Sequence, residues 1–462
     1  MGFYGRILKC AVAAAVLFLA FYEQAHAVPS YARQTGVACQ GCHTVFPELT
    51  PFGRSFKLNA YQIDNLPQVQ GITQNKDYEL LLNQVPPLSF MFQTSYTKTK
   101  TALPDSNAVP GDNAQNGQLL FPQQASLFYA GRIAPNLGAF VQITYSSDSG
   151  TFGLDNTELR YAKQVPSVAD GLTYGFTMNN NPTVQDVWNS TPAWQMPFDQ
   201  RTSAALVPGA ATQVDGTLGG AVAGLTAYAW WKNSIYAELG LYRSAPQGFK
   251  NANQNAGPLD STAGGTIVGW APYWRAAYEH QWDRNSWSLG AYGLTAKITP
   301  PGQAIGSTSD RFSDVALDSQ YQFIGDEHIA SVQATYIKER QSLDASFALG
   351  DSENQSNDLN TLRVGGSYHF RRTYGGALGY FSTTGSSDAI RYAPAATVGF
   401  ANSSPNSNGW IAELDYLPWQ NVKVTLQYIA YQKFNGAKSD YDGNGRNAGD
   451  NNTLYILGWL NF

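Results

Sequence analysis

Three cysteines are all that this 462-residue chain carries, too few for a disulfide scaffold. Charge is sparse as well. Asp, Glu, Lys and Arg make up 14% of the residues, and they form no basic tract, which argues against nucleic acid as a partner. Beyond the leader no segment has 18 uninterrupted apolar residues, so no helix is expected to span a bilayer. Methionine (4) and histidine (5) are rare enough that each can be weighed singly as a metal ligand. What the chain has in abundance is glycine (44) and aromatic residues (13%). Low charge, many aromatics and many glycines suit a membrane β-barrel, with one strand face toward lipid and aromatic girdles at its edges.

The first 27 residues read as a secretory signal peptide. Arg6 and Lys9 form the basic region, Ala11 to Phe21 the apolar run, and Ala25-His26-Ala27 the cleavage site. Cys10 lies inside the apolar run and leaves with it. Removing Arg6, Lys9 and Glu23 leaves 27 basic against 33 acidic side chains, a net charge of −6, from totals of 29 and 34. Two cysteines then remain, Cys39 and Cys42.

From Pro87 onward the sequence alternates with period two. In 88–96, Phe90 and Phe92 share one face while Ser89, Met91, Gln93 and Ser95 take the other. In 274–280, Arg275 and Glu279 oppose Trp274, Tyr278 and His280. Sixteen such segments are expected, near 88–98, 123–133, 137–147, 154–163, 171–178, 217–231, 234–243, 271–283, 286–298, 312–323, 329–340, 359–371, 373–384, 409–417, 421–434 and 452–462. Tight turns at Pro135-Asn136, Lys232-Asn233, Arg284-Asn285, Gly325-Asp326 and Pro418-Trp419 alternate with long polar loops. Short turns on one side and long loops on the other define an outer-membrane barrel, with both ends on the short-turn, periplasmic side. The chain ends on Phe462, in phase with Leu454, Ile456 and Leu460, as such barrels do. A soluble β-sandwich or propeller is the competing architecture, and its loops would not sort by side. The expected organisation is a signal peptide (1–27), a head that plugs the barrel (28–80) and a 16-stranded antiparallel transmembrane β-barrel (86–462), an all-β fold.

The head holds Cys39-Gln40-Gly41-Cys42-His43, the C-x-x-C-H pattern of covalent haem c. Two thiols add to the two vinyl groups, and the adjacent histidine becomes an axial ligand. The plainer reading is a disulfide beside a surface histidine. Against it, the motif uses every cysteine left after export, and c-type haem is attached outside the inner membrane. One haem is expected, held by Cys39, Cys42 and His43. Between Val28 and Val85 there is no other His and no Met; Lys57 is a weaker alternative because it prefers its proton. The second axial ligand must come from the wall, or the iron is five-coordinate. Strand parity points Met178 and His280 outward, and puts His328 in a short turn and Met196 in the longest loop. Met91 and His369 are left, Met91 first because it is nearer the head. Tyr31, Phe46, Phe52, Phe56 and Tyr61 would pack on the porphyrin; Arg33, Arg54 and Lys57 could neutralise its propionates. Arg275, Glu279, Arg363, Arg371, Glu413 and Asp415 are expected to face the lumen. Asp440 to Gly445 matches the first half of a calcium loop, but position twelve is Asn451 rather than Glu, so a turn-rich loop is favoured.

These stretches resemble the fused monohaem cytochrome–porin family. The likeness is carried by Pro29 to Gly36, Cys39 to His43, Phe52-Gly53-Arg54, Phe56-Lys57-Leu58, Asn180 to Asp186, Pro192-Ala193-Trp194, Asp318 to Gln322 and Asn447 to Asn452. The sequence departs from the pattern at Ala60, where a glycine before the tyrosine is expected. The resemblance implies an outer-membrane electron-transfer protein, an Fe(II) oxidoreductase in its best-studied members. Electrons would pass from an extracellular donor, Fe(II), to a periplasmic carrier such as a soluble cytochrome. A solute porin whose haem head acts as gate or redox sensor, and a small haem enzyme with an open iron site, are the competing functions.

Overall fold

Period-two alternation becomes a closed wall. The computed structural model describes residues 29–63, 69–71, 81–83, 85–103, 116–147, 150–165, 171–191, 205–219, 221–245, 265–304 and 306–462. The signal-peptide assignment, the Pro192-Ala193-Trp194 stretch and Met196 fall outside these residues, as do parts of the head. Among the described residues sixteen long strands form the wall: β1 (Leu88–Thr99), β2 (Gln118–Ala134), β3 (Leu137–Ser146), β4 (Thr151–Val165), β5 (Leu172–Asn179), β6 (Val222–Trp231), β7 (Ile235–Ser244), β8 (Ala271–Trp282), β9 (Asn285–Thr299), β10 (Asp310–Ile324), β11 (His328–Ser342), β12 (Ser356–Phe370), β13 (Tyr374–Gly385), β14 (Ser407–Trp419), β15 (Val422–Lys433) and β16 (Thr453–Asn461). Each pairs antiparallel with the next, and β16 returns to β1 with Thr453 opposite Thr99 and Asn461 opposite Met91. Phe462 completes the seam by exchanging backbone hydrogen bonds with Phe90 (2.6 and 2.8 Å). A two-residue strand, Thr266–Ile267, and a small hairpin pairing Val69–Gly71 with Leu81–Asn83 complete the described sheets.

The two faces of the wall have opposite chemistry. Leu225, Leu239, Leu289, Val315, Leu378 and Leu414 point outward and are exposed, whereas Gln93, Gln142, Thr144, Asp318, Gln322 and Thr425 point inward and are buried. So large a continuous apolar exterior would be unfavourable in water and is matched to lipid. No described helix is long and apolar enough to cross a membrane.

Parity was correct for most of the residues it was asked to place. Met91, Arg275, Glu279, His369, Glu413 and Asp415 are buried on the inner face, and Met178 and His280 lie outside. Four assignments change. Arg371 does not face the lumen: it sits at φ 49° in the turn after β12, exposed, and pairs with Glu327. His328 opens β11 rather than standing in the turn, and its ring meets Tyr368 outside the wall. Pro418-Trp419 belongs to β14, and the turn falls at 420–421. The segment expected to begin a strand at 217 instead turns inward over 213–217, and β6 starts at Val222.

The head lies against this inner face. It folds as α1 (Pro29–Thr35), the single turn α2 (Cys39–Cys42) and α3 (Pro51–Leu58). Thr50 caps α3 by accepting from Gly53 N (3.1 Å), with Pro51 at the first helical position. Ser30 Oγ donates to Ala130 O (2.8 Å), Tyr31 OH to Ala139 O (3.0 Å) and Gln62 Nε2 to Ala134 O (3.1 Å). Arg54, fully buried, reaches Glu279 Oε2 on β8 through Nε (2.8 Å). A second inward element, α4 (Pro182–Gln185), continues to a buried Trp188.

Candidate functional site

The C-x-x-C-H run forms one helical turn because Ala38 enters it extended and His43 leaves it extended (φ −127°, ψ 139°), with His43 N donating to Cys39 O (2.8 Å). Both thiols are free of a disulfide. Gly53 on α3 lies against this turn: a Cβ there would sit 2.1 Å from Cys42 O. Glycine therefore lets the two helices touch, and the Phe52-Gly53-Arg54 run gains a physical reason.

Cys39, Cys42, His43 and Met91 all line one cavity of about 190 Å³ between head and wall. The head adds Tyr31, Phe46, Phe56, Lys57 and Tyr61, and the wall adds Phe128, Phe140 and Trp459. Tyr31 stacks on Tyr61 (5.0 Å between ring centres) and Phe46 meets Trp459 edge-on (5.0 Å). Cys39, Val45, Phe46, Met91, Phe128, Leu457 and Trp459 form one apolar cluster behind the turn.

Burial pushes the Cys42 thiol up to about 12, and Cys39 adds to it. That is opposite to the lowered values of redox-active C-x-x-C pairs. Burial likewise pushes the His43 imidazole down to about 4, so the ring is neutral with a free lone pair at neutral pH. Its Nδ1 is buried and makes no hydrogen bond among the described residues.

The cavity separates the two candidates for a second ligand. Met91 lines it and is 1% exposed. His369 does not. It lines a smaller space with Glu48, Glu413, Asp415 and Lys423, its Nε2 lying 3.3 Å from Asp415 Oδ2. Phe52 also falls away from the cavity, 45% exposed, because α3 turns that side outward. Arg54 is committed to the wall, and Arg33 bonds Leu88 O. Lys57 remains at the cavity, bonded to Val184 O, with Glu158 Oε2 at 3.5 Å. Burial lowers its ammonium pKa while Glu158 opposes that shift. Phe128, Phe140 and Trp459 went unnoticed in the sequence. For Phe128 and Phe140 the signal was an aromatic residue on a face that is otherwise polar or small; Trp459 shares its face with Tyr455 and Leu457.

Ala60 and Tyr61 both adopt positive φ (54° and 59°), the region that favours glycine, so the departure at Ala60 falls where a glycine would be at ease. The close approach is supplied from the other side: a Cβ on Gly138 would meet Ala60 O at 2.1 Å. The 440–450 loop is held by its own polar groups. Asp442 accepts from Thr397 N (2.7 Å), Asn444 N (2.9 Å) and Arg446 N (3.1 Å), and Asn451 bonds Tyr441 and Arg446.

An apolar exterior, a polar lumen, sixteen strands and a head against the inner face define a porin-like transmembrane β-barrel. No family model and no curated protein matches the chain. Among solved structures it is similar to OmpF of Salmonella typhi in complex with daunomycin, at 15% identity over 81% of this chain and 97% of that one, TM-score 0.46. It is also similar to the outer membrane channel DcaP of Acinetobacter baumannii (11%, 81% and 96%, TM-score 0.43) and to an anion-selective porin from Comamonas acidovorans (12%, 81% and 98%, TM-score 0.40).

Proposed function

We propose that the protein is an outer-membrane electron conduit, a barrel carrying one covalent haem c on its head. The observation that carries this is the convergence of Cys39, Cys42, His43 and Met91 on a single aromatic-lined cavity. The residues suit the group. Two unbridged thiols stand one helical turn apart, a neutral imidazole follows them, and a thioether lines the same space. Cys39 and Cys42 would tether the macrocycle, and His43 and Met91 would hold its iron. Bound there, haem supplies one-electron oxidation and reduction. Tyr31, Phe46, Phe128 and Trp459 give the cavity an apolar, aromatic lining, and Lys57 places a cation at its edge.

The donor in this reading is extracellular Fe(II), and the acceptor is a periplasmic carrier such as a soluble cytochrome. The test is the absorbance of intact cells given a membrane-impermeant Fe(II) complex. Reduction of a haem band, absent in the His43→Ala strain, is the expected result. A chain purified without covalent haem refutes the reading.

A channel is the second reading, favoured by a polar cavity of about 450 Å³ on the long-loop side, bordered by Gln213, Gln341, Asp351 and Arg391. Solute flux through liposomes without haem reduction by external Fe(II) would select it.

A further inference from the structure

Above the head the inward turn at 213–217 narrows the lumen on its long-loop side, and it does so against two carboxylates. Asp314 on β10 and Glu339 on β11 stand directly opposite each other in register, so their side chains share one patch of the inner face. Both are buried. Val214 N donates to Asp314 Oδ2 (2.7 Å) and Gln213 N to Glu339 Oε2 (2.6 Å). No Lys or Arg among the described residues comes within 4 Å of either carboxylate. Arg363 is committed to Asp215, and Arg391 lines the adjoining cavity without reaching ion-pair distance. Two buried anions side by side require a cation or a proton between them.

Neighbouring oxygens discriminate between these. Gln341 Nε2 donates to Glu339 Oε1 (2.6 Å), which puts Oε1 of the same amide beside that carboxylate, and this oxygen is buried with no partner. Thr212 Oγ1, one residue before the Gln213 contact, is likewise buried and unpartnered, and so is Asp314 Oδ1. A shared proton would satisfy at most one pair of these oxygens. A hard divalent cation takes several at once, carboxylate, amide and hydroxyl alike, and keeps water for its remaining positions. The polar cavity bordered by Gln213 and Gln341 supplies both that water and a route of entry.

We propose that Asp314, Glu339, Gln341 and Thr212 form a binding site for one hard divalent cation, which ties the 212–215 segment to the β10–β11 wall. The site involves none of the haem-motif residues and stands independently of the electron-transfer reading.

The test is titration of the full chain in detergent micelles with Mn(II), free ion followed by electron paramagnetic resonance, with Mg(II) and Ca(II) as competitors. One Mn(II) per chain is expected, displaced by the competitors. Asp314→Asn combined with Glu339→Gln should weaken binding at least tenfold. Gln341→Leu keeps both carboxylates and should weaken it less, which covers the case in which the double variant does not fold. Asp440→Asn, in the loop with the partial calcium pattern, should leave the stoichiometry unchanged. Wild-type binding no greater than that of the Asp314/Glu339 double variant, or binding lost through Asp440→Asn, overturns the site.

Discussion

Replacing Arg54 by Met should release the head from the wall. The guanidinium makes five hydrogen bonds: to Glu279 (2.8 Å), Gln320 (3.2 Å), Gln322 (3.0 Å) and Ser286 (3.1 Å) on the wall, and to Leu49 O (2.8 Å) within the head. The Leu49 bond survives or fails regardless of docking, so four contacts fix the head to β8, β9 and β10. Removing one partner of a buried ion pair costs about 3–5 kcal/mol. Glu279 would keep two donors, Trp188 Nε1 (3.1 Å) and Gln281 Nε2 (2.8 Å), which places the loss at the lower end. About 3 kcal/mol shifts the docked-to-released ratio by roughly 100-fold. The assay is trypsin cleavage in the head of the folded barrel, at Arg33 and Lys57, with single-channel conductance alongside. Cleavage should accelerate and conductance rise. Arg54→Met with Glu279→Gln should recover part of the protection, because the stranded charge is gone. Unchanged cleavage in a folded Arg54→Met barrel would refute the assignment of docking to this ion pair. A double variant no better protected than the single would refute the coupling.

Gly53→Ala should separate α3 from the haem-type turn, since the added Cβ would lie 2.1 Å from Cys42 O. A loss of about 1–3 kcal/mol in thermal denaturation, with lower haem yield, is expected. Met91→Ala should change the haem absorbance spectrum while His369→Ala leaves it unaltered, because only Met91 lines the cavity; the reverse pattern would exchange their roles. In the loops, burial pushes the Asp388 carboxyl up, but bonds from Glu353 N, Ser352 Oγ, Arg391 N and Asn357 Nδ2 outweigh it and hold the pKa below the usual range. A depressed folded pKa contributes stability above the unfolded value of about 4, lost as pH falls through the folded one. Loop proteolysis by an acid protease should therefore rise below about pH 4, and Asp388→Asn should show the same sensitivity already at pH 7 when a neutral protease is used.

The wall was legible because a strand's side-chain period is two, so each residue's face follows from its neighbours. Where the backbone leaves the strand the rule ends. Arg371 was carried one step past β12 into a turn of positive φ, and the inward assignment failed there. Arg54 looked like a propionate partner because it sits near the motif in sequence. Its acceptors lie 225 to 268 residues away, apart from Leu49, and no local pattern encodes them. The same holds for the 213–217 turn, whose partners are β10 and β11. Phe128 and Phe140 could have been found, as aromatic residues on faces whose other members are mostly polar or small, whereas Trp459 shares its face with Tyr455 and Leu457 and gave no such signal.

The closure of β16 on β1 bears on the order of assembly. The head precedes β1 in the chain, yet it touches β2, β3, β6, β8, β9 and β10 from within. The seam itself is finished only when Phe462 exchanges hydrogen bonds with Phe90. A wall that curls around an already folded head reaches this arrangement without threading anything through a completed ring. The final strand then acts as the latch that closes the wall over the turn carrying Cys39 and Cys42.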